Sequence, residues 1–325
     1  MHNRVSYLKS TKPTIDGDIP AGAAVVPSET PAVLNRFSAF AAHLRSYLQM
    51  TKPSIMLLVL VTGATALFIE GSMPTHPARM ALFLLGLYLT GGSANSFNQY
   101  FERDIDARMM RTRRRRPLPL GKISAAEALL FSVTIGVIGI LLLGFVFNWL
   151  TALLSLATIL FYSLFYTLVL KPTTSQNIVI GGIAGAMAPV GAWTAATGGM
   201  ALMPWFLFLI VFLWTPPHFW SLALCFQDDY RAAGYPMLPL VKGQVGTLRQ
   251  ILYYAVVLSL GSFLPVLAGA GWFYLTVAAF LGAGFMFKIM RAMRAMNHEA
   301  FWSIFKYSIV YLFALFFALV IDKFI

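Results

Sequence analysis

Residues Ala81–Ile123 read ALFLLGLYLTGGSANSFNQYFERDIDARMMRTRRRRPLPLGKI. Up to Ala94 the stretch is apolar, and with its flanks it is long enough to cross a bilayer as a helix. From Asn95 on it holds three of the chain's twelve acids and eight of its twenty-four Lys and Arg. Asn98, Glu102 and Asp106 are spaced four apart, so a helix lays them along one stripe, with Asn95 three residues earlier on the same stripe. Asp104 falls off the stripe and is expected to pair with a neighbouring arginine. Magnesium takes oxygen ligands and usually shares them with substrate phosphates. Arg111 and the run Arg113–Arg116 can fork onto phosphate oxygens. Oxygen donors at a membrane surface, followed at once by arginines, suit a magnesium diphosphate. The plainer alternative is a solvated basic loop that closes a transmembrane hairpin.

The whole chain agrees with the membrane reading. Of 325 residues, 58% are hydrophobic and only 11% charged, against roughly a quarter charged in a soluble protein. Apolar runs recur at lengths that predict nine spans: 54–70, 78–100, 123–143, 148–169, 177–197, 202–226, 248–268, 271–289 and 302–321. With the N-terminus inside, every Lys and Arg except Arg79 and Lys323 falls on the inner face. Cytoplasmic loops collect positive charge in this way. The net charge of +12 therefore reflects topology, and nucleic acid is excluded as a partner because no basic, aromatic-interleaved soluble domain exists. The single Cys225 rules out an internal disulfide. Residues 1–35 are expected to be a flexible cytoplasmic tail, residues 36–50 an interfacial helix, and residues 51–325 the membrane domain.

Two further blocks carry polar groups at membrane depth or at the inner face. The first is FLWTPPHFWSLALCFQDDYRAAGYPMLPLVKG, Phe212–Gly243. Pro216 and Pro217 interrupt an apolar helix, and His218 follows them. A histidine at that depth is a functional candidate; a hydrogen bond to a neighbouring helix is its plain alternative. Continuous helix would put His218, Leu222, Cys225 and Asp229 on one face. A helix-end salt bridge is the plain alternative for Asp228 and Asp229. The second block is YTLVLKPTTSQNIVIGGIAGAMAPVGAW, Tyr166–Trp193, in which Lys171 stands alone in a short inner loop. Its glycines permit close helix packing or a flat ligand. LPLGK (Leu118–Lys122) and LPLVK (Leu238–Lys242) hint at an internal repeat.

Taken together, SANSFNQYFERDIDARMMRT and these two blocks resemble the UbiA superfamily of intramembrane prenyltransferases, and within it the haem-prenylating branch. The resemblance covers about residues 48–320. It implies nine helices around a central cavity, capped on the cytoplasmic side of a plasma (bacterial inner) membrane. It implies magnesium-assisted ionisation of farnesyl diphosphate and capture of the allylic cation by a vinyl group of haem b. The product would feed terminal oxidase assembly, which makes haem A synthase or that assembly machinery a candidate partner. Carried over by position, the resemblance assigns Asn98, Glu102, Asp106 and Asp229 to catalysis and metal binding. It assigns Arg111, Arg115, Arg116, Lys122, Lys171 and Lys242 to the diphosphate. Glu102 stands where many relatives have Asp. Cys225 and His218 stand where the wider superfamily has acids, and the Pro217-His218 pair is shared with the haem branch. His218 is accordingly expected to ligate haem iron or orient a propionate.

Three rivals remain at this level. An aromatic-acceptor prenyltransferase would share the diphosphate site. A haem chaperone would bind haem without needing farnesyl diphosphate. A transporter would place its acids mid-helix, whereas these cluster at helix ends.

Overall fold

The computed structural model describes residues 32–325, with side chains described from Phe40 onward. Most of the expected N-terminal tail, residues 1–31, lies outside the described residues. Helix α1 spans Ala32–Met50, and its part from Ala42 belongs to the main unit, Ala42–Ile325. Within that unit α1 leaves Leu44 and Leu48 exposed while burying Ser46 and Met50. Tyr47 packs on Phe131 at 4.8 Å, and His43 lies 3.7 Å from Glu127.

Nine helices among the described residues are long and apolar enough to cross a membrane. They are α2 (Pro53–Glu70), α3 (Pro77–Phe101), α4 (Ala125–Val146), α5 (Trp149–Thr173), α6 (Asn177–Thr197), α7 (Leu202–Cys225), α8 (Leu238–Ala268), α9 (Trp272–Ala295) and α10 (His298–Asp322). The protein is an all-α, multi-pass membrane protein. Its outer surface shows why it needs lipid: Leu130, Phe145, Phe280 and Phe317 are 69%, 75%, 76% and 66% exposed. Polar side chains such as Ser93, Ser132, Thr194 and Ser308 are fully buried instead, satisfied by their own or a neighbouring helix rather than by water.

Successive helices pack as neighbours, and α2 also contacts α6 and α10, which draws the chain into a ring around an interior space. Small residues set the closest approaches. A methyl group built on Gly139 of α4 would lie 3.1 Å from the Thr90 backbone nitrogen of α3, so these two backbones meet only without a side chain there. Ser93 of α3 reinforces the pair by donating to the Ser132 carbonyl at 2.8 Å. Ser124 and Glu127 cap each other's backbone N–H groups and start α4.

The spans fall where the hydropathy pattern put them, with two informative differences. The seventh begins at Leu238, ten residues early, because Pro239 starts a helical turn that Gly243 then breaks at φ 67°. The fourth is not a plain α-helix. Residues Phe161–Leu170 form a π-helix, in which the Lys171 N–H reaches back five residues to the Tyr166 carbonyl. A stretch of this kind is uncommon and tends to occur at functional sites.

Candidate active site

The acid stripe survives the end of α3. The Glu102 N–H bonds to the Asn98 carbonyl at 3.0 Å, and the Asp106 N–H to the Glu102 carbonyl at 2.7 Å. Helical register thus continues through Asp106 and brings Asn98, Glu102 and Asp106 together, each buried to 2% exposure. Asn95 shares the stripe but is committed elsewhere, donating to the Thr51 carbonyl at 3.2 Å. Asp104 is exposed and pairs loosely with Arg103 at 3.9 Å, as expected.

Three cations close over the stripe. Lys52 donates to Asn98 Oδ1 at 2.6 Å. Lys171 pairs with Glu102 Oε1, and Arg116 pairs with Asp106 Oδ2 while lying 3.5 Å from Glu102 Oε2. Burial opposes ionisation of Glu102, but Lys171, Arg116 and Lys52 outweigh it and hold its carboxyl below the usual range. Burial, with Arg116 and Lys171 beside it, pushes the Lys52 ammonium down to about 7. Lys52 also holds a left-handed backbone, φ 53° and ψ 68°, directly before Pro53. A non-glycine residue there stores strain of about 1 kcal/mol or more. The cluster carries more positive than negative charge, so a polyanion complements it.

Lys52, Asn98, Arg116 and Lys171 of this cluster form one end of a cavity of about 1010 Å³ that runs into the bundle, while Glu102 and Asp106 lie beneath them and do not line it. Lys52, Asn98, Arg111, Arg116 and Lys171 line its polar end, with exposed Arg114, Arg115 and Lys122 at the mouth. Arg111 is held with its guanidinium 5.5 Å from the Phe226 ring, and its buried Nε has no hydrogen-bond partner in the described structure. That unmet donor beside a cavity fits an anion. Tyr162 and Tyr166 of the π-helix come next, stacked with centroids 5.1 Å apart. Beyond them the walls are apolar and aromatic, with Trp214, His218, Phe305 and Ile309 on α7 and α10.

Two residues expected in the site are placed differently. The helix carrying His218 stops at Cys225, and Phe226 turns the chain (φ −125°, ψ 37°) before a new helix, Gln227–Ala233. Asp229 is therefore off the face of His218. Its carboxylate accepts the backbone N–H groups of Met110 and Arg111 at 3.0 and 3.1 Å, which caps the short helix Met110–Arg113 and ties the two loops together. Lys242 is exposed and does not line the cavity, because the Gly243 kink carries it outward. Asp228 forms an exposed pair with Arg231. Lys52, Tyr162 and Tyr166 are among the lining residues that sequence reasoning missed.

Among the described residues no group of three or more His, Cys, Asp and Glu could hold a metal. A magnesium site here would rest on the Asn98 amide oxygen and the Glu102 and Asp106 carboxylates, which in this structure pair with Lys52, Lys171 and Arg116 respectively. That all-oxygen donor set fits a hard cation.

Residues 59–319 match the UbiA prenyltransferase family. The chain belongs to that family. It is 45% identical over 284 residues to the protoheme IX farnesyltransferase of Gloeobacter violaceus, which covers 87% of this chain and 93% of that protein. The Afipia carboxidovorans protein of the same name is 44% identical, covering 85% and 89%. The Roseiflexus castenholzii one is 41% identical over 86% of this chain, but this chain spans only 52% of it. Solved UbiA-type structures share the fold. A digeranylgeranylglyceryl phosphate synthase superposes with a TM-score of 0.71 at 20% identity, covering 86% of this chain and 98% of that one. A UbiA homologue from Archaeoglobus fulgidus, bound to GPP and Mg2+, gives 0.62 at 15% identity, covering 85% and 99%.

Proposed function

We propose that this UbiA prenyltransferase transfers the farnesyl group of farnesyl diphosphate to a vinyl group of haem b, with its loops and N-terminus on the cytoplasmic side of the plasma membrane. The observation that carries this reading is a cavity with two unlike ends. One end gathers cations over buried oxygen donors. The other is an aromatic chamber lined by Trp214, His218 and Phe305, and the resemblance puts His218 where the wider superfamily has an acid. The name borne by the 41–45% identical relatives supports the acceptor assignment.

The division of labour follows from charge. Lys52, Arg111, Arg116 and Lys171 hold the diphosphate, while Arg114, Arg115 and Lys122 draw it to the mouth. Asn98, Glu102 and Asp106 would hold magnesium, which when bound adds positive charge against the departing diphosphate. As the C1–O bond of farnesyl diphosphate breaks, its electron pair leaves on the diphosphate, and the preorganised cations stabilise that charge. Tyr162 and Tyr166 line the cavity, where aromatic rings stabilise an allylic cation electrostatically. The apolar walls keep water from C1. The terminal carbon of the haem vinyl bonds to C1. Water then adds to the cation left beside the porphyrin and loses a proton, which leaves a hydroxyethylfarnesyl chain.

Asp229 serves this site by holding Arg111 in place. Asp229→Ala is expected to lower kcat/KM about tenfold, since it removes two charge-assisted hydrogen bonds at a partly exposed site. Faster amide exchange at Met110 and Arg111 should accompany the loss. Undisturbed exchange with a much larger loss of activity would instead place Asp229 on the metal. The acceptor assignment is tested by offering labelled farnesyl diphosphate with haem b or with a hydroxybenzoate. Label in haem alone supports the reading, and label in the hydroxybenzoate alone overturns it.

A further inference from the structure

His218 lies at the aromatic end of the cavity, and its ring is held on three sides. Trp214 stacks on it with centroids 4.2 Å apart at 20°, and Phe305 at 4.7 Å and 29°. Its Nδ1 lies 2.8 Å from Ser308 Oγ. Ser308 Oγ also lies 2.6 Å from the Phe305 backbone carbonyl, to which it donates. A carbonyl can only accept, so the one hydroxyl hydrogen goes to Phe305 and Oγ meets Nδ1 as an acceptor. Nδ1 therefore carries the ring hydrogen, and Nε2 carries the lone pair. Among the described residues nothing hydrogen-bonds to Nε2, and His218 lines the cavity. The Trp214 indole N–H donates to the Ser308 backbone carbonyl at 2.6 Å, so one residue anchors both the imidazole and one of its flanking rings. Ser308 is fully buried, and water does not compete for its hydroxyl.

We propose that Ser308 is a positioning residue that fixes His218 as the Nδ1–H tautomer, so that Nε2 turns its lone pair to the cavity and binds the iron of a haem acceptor. This rests on the haem reading above. Histidines that bind metals commonly donate the other ring N–H in this way, which fixes the tautomer and raises ligand basicity.

The full-length protein in detergent is titrated with haem b, beside Ser308→Ala, Ser308→Thr and His218→Ala. Absorption spectra report affinity and spin state, and resonance Raman spectra of the ferrous complex report the iron–histidine stretch. Farnesyl diphosphate binding, measured separately, shows that each variant keeps its fold. Ser308→Ala is expected to bind haem about tenfold more weakly and to lower the iron–histidine frequency. Ser308→Thr retains the hydroxyl and should stay near wild type; if its methyl group prevents folding, the alanine comparison decides. His218→Ala should lose the histidine signature. Unchanged affinity and frequency in Ser308→Ala overturn the tautomer role and leave the haem reading standing. A histidine signature that survives His218→Ala overturns the ligand assignment. A wild-type protein that binds no haem overturns the acceptor reading and this inference with it.

Discussion

Asp106→Asn should lower kcat/KM by a factor of about 10³ while the protein still folds. Asparagine has the same shape and can still accept from Arg116, so the buried contact persists without its charge. What disappears is one of the two buried carboxylates that lie beneath the cations at the polar end of the cavity. Arg116 would then face Glu102 alone, at 3.5 Å, and would be drawn toward the acid that remains. The loss should fall on turnover and on the magnesium concentration that supports it, with the melting temperature shifted by only a few degrees. A magnesium titration of purified wild type and variant measures both. Normal turnover in the variant would remove Asp106 from the metal site.

Lys171→Met should lower kcat by about 10²- to 10³-fold, the usual cost of losing one preorganised donor to developing negative charge. Lys171 pairs with Glu102, its ammonium lies 4.7 Å from the Tyr235 ring centroid, and it lines the cavity. Methionine keeps the apolar stem and leaves Glu102 with Arg116 and the Tyr235 hydroxyl at 3.4 Å. Haem binding at the other end of the cavity should be unaffected. Single-turnover kinetics separate the bond-breaking step from product release. A fall of less than tenfold in the single-turnover rate would make Lys171 a structural partner of Glu102 rather than a group that meets the diphosphate.

The parts of this site differ in how far the sequence reveals them, for physical reasons. The nine spans are legible because a bilayer demands long apolar helices, and the Asn98–Glu102–Asp106 stripe because helical spacing survives the helix end. Lys52 looks like one more inside-positive residue. Only its left-handed backbone and its bond to Asn98 single it out. Tyr162 and Tyr166 sit in an apolar run that reads as ordinary helix, since a π-helix has no hydropathy signature of its own. A continuous helix would put Asp229 on the face of His218, and the break at Phe226 prevents it. Ser308 is a small residue in an apolar span, and its role depends on α10 facing α7, a tertiary fact. Glycine offered a partial signal at position 243, where a positive φ ends the turn begun by Pro239 and swings Lys242 away from the cavity.

The decisive measurement is the mass of the haem recovered after the purified protein is incubated in detergent with haem b and farnesyl diphosphate, with and without magnesium. The predicted result is a haem heavier by one farnesyl group and one water, formed only when magnesium is present. Unmodified haem, with the protein folded and both substrates bound, would contradict the proposed reaction.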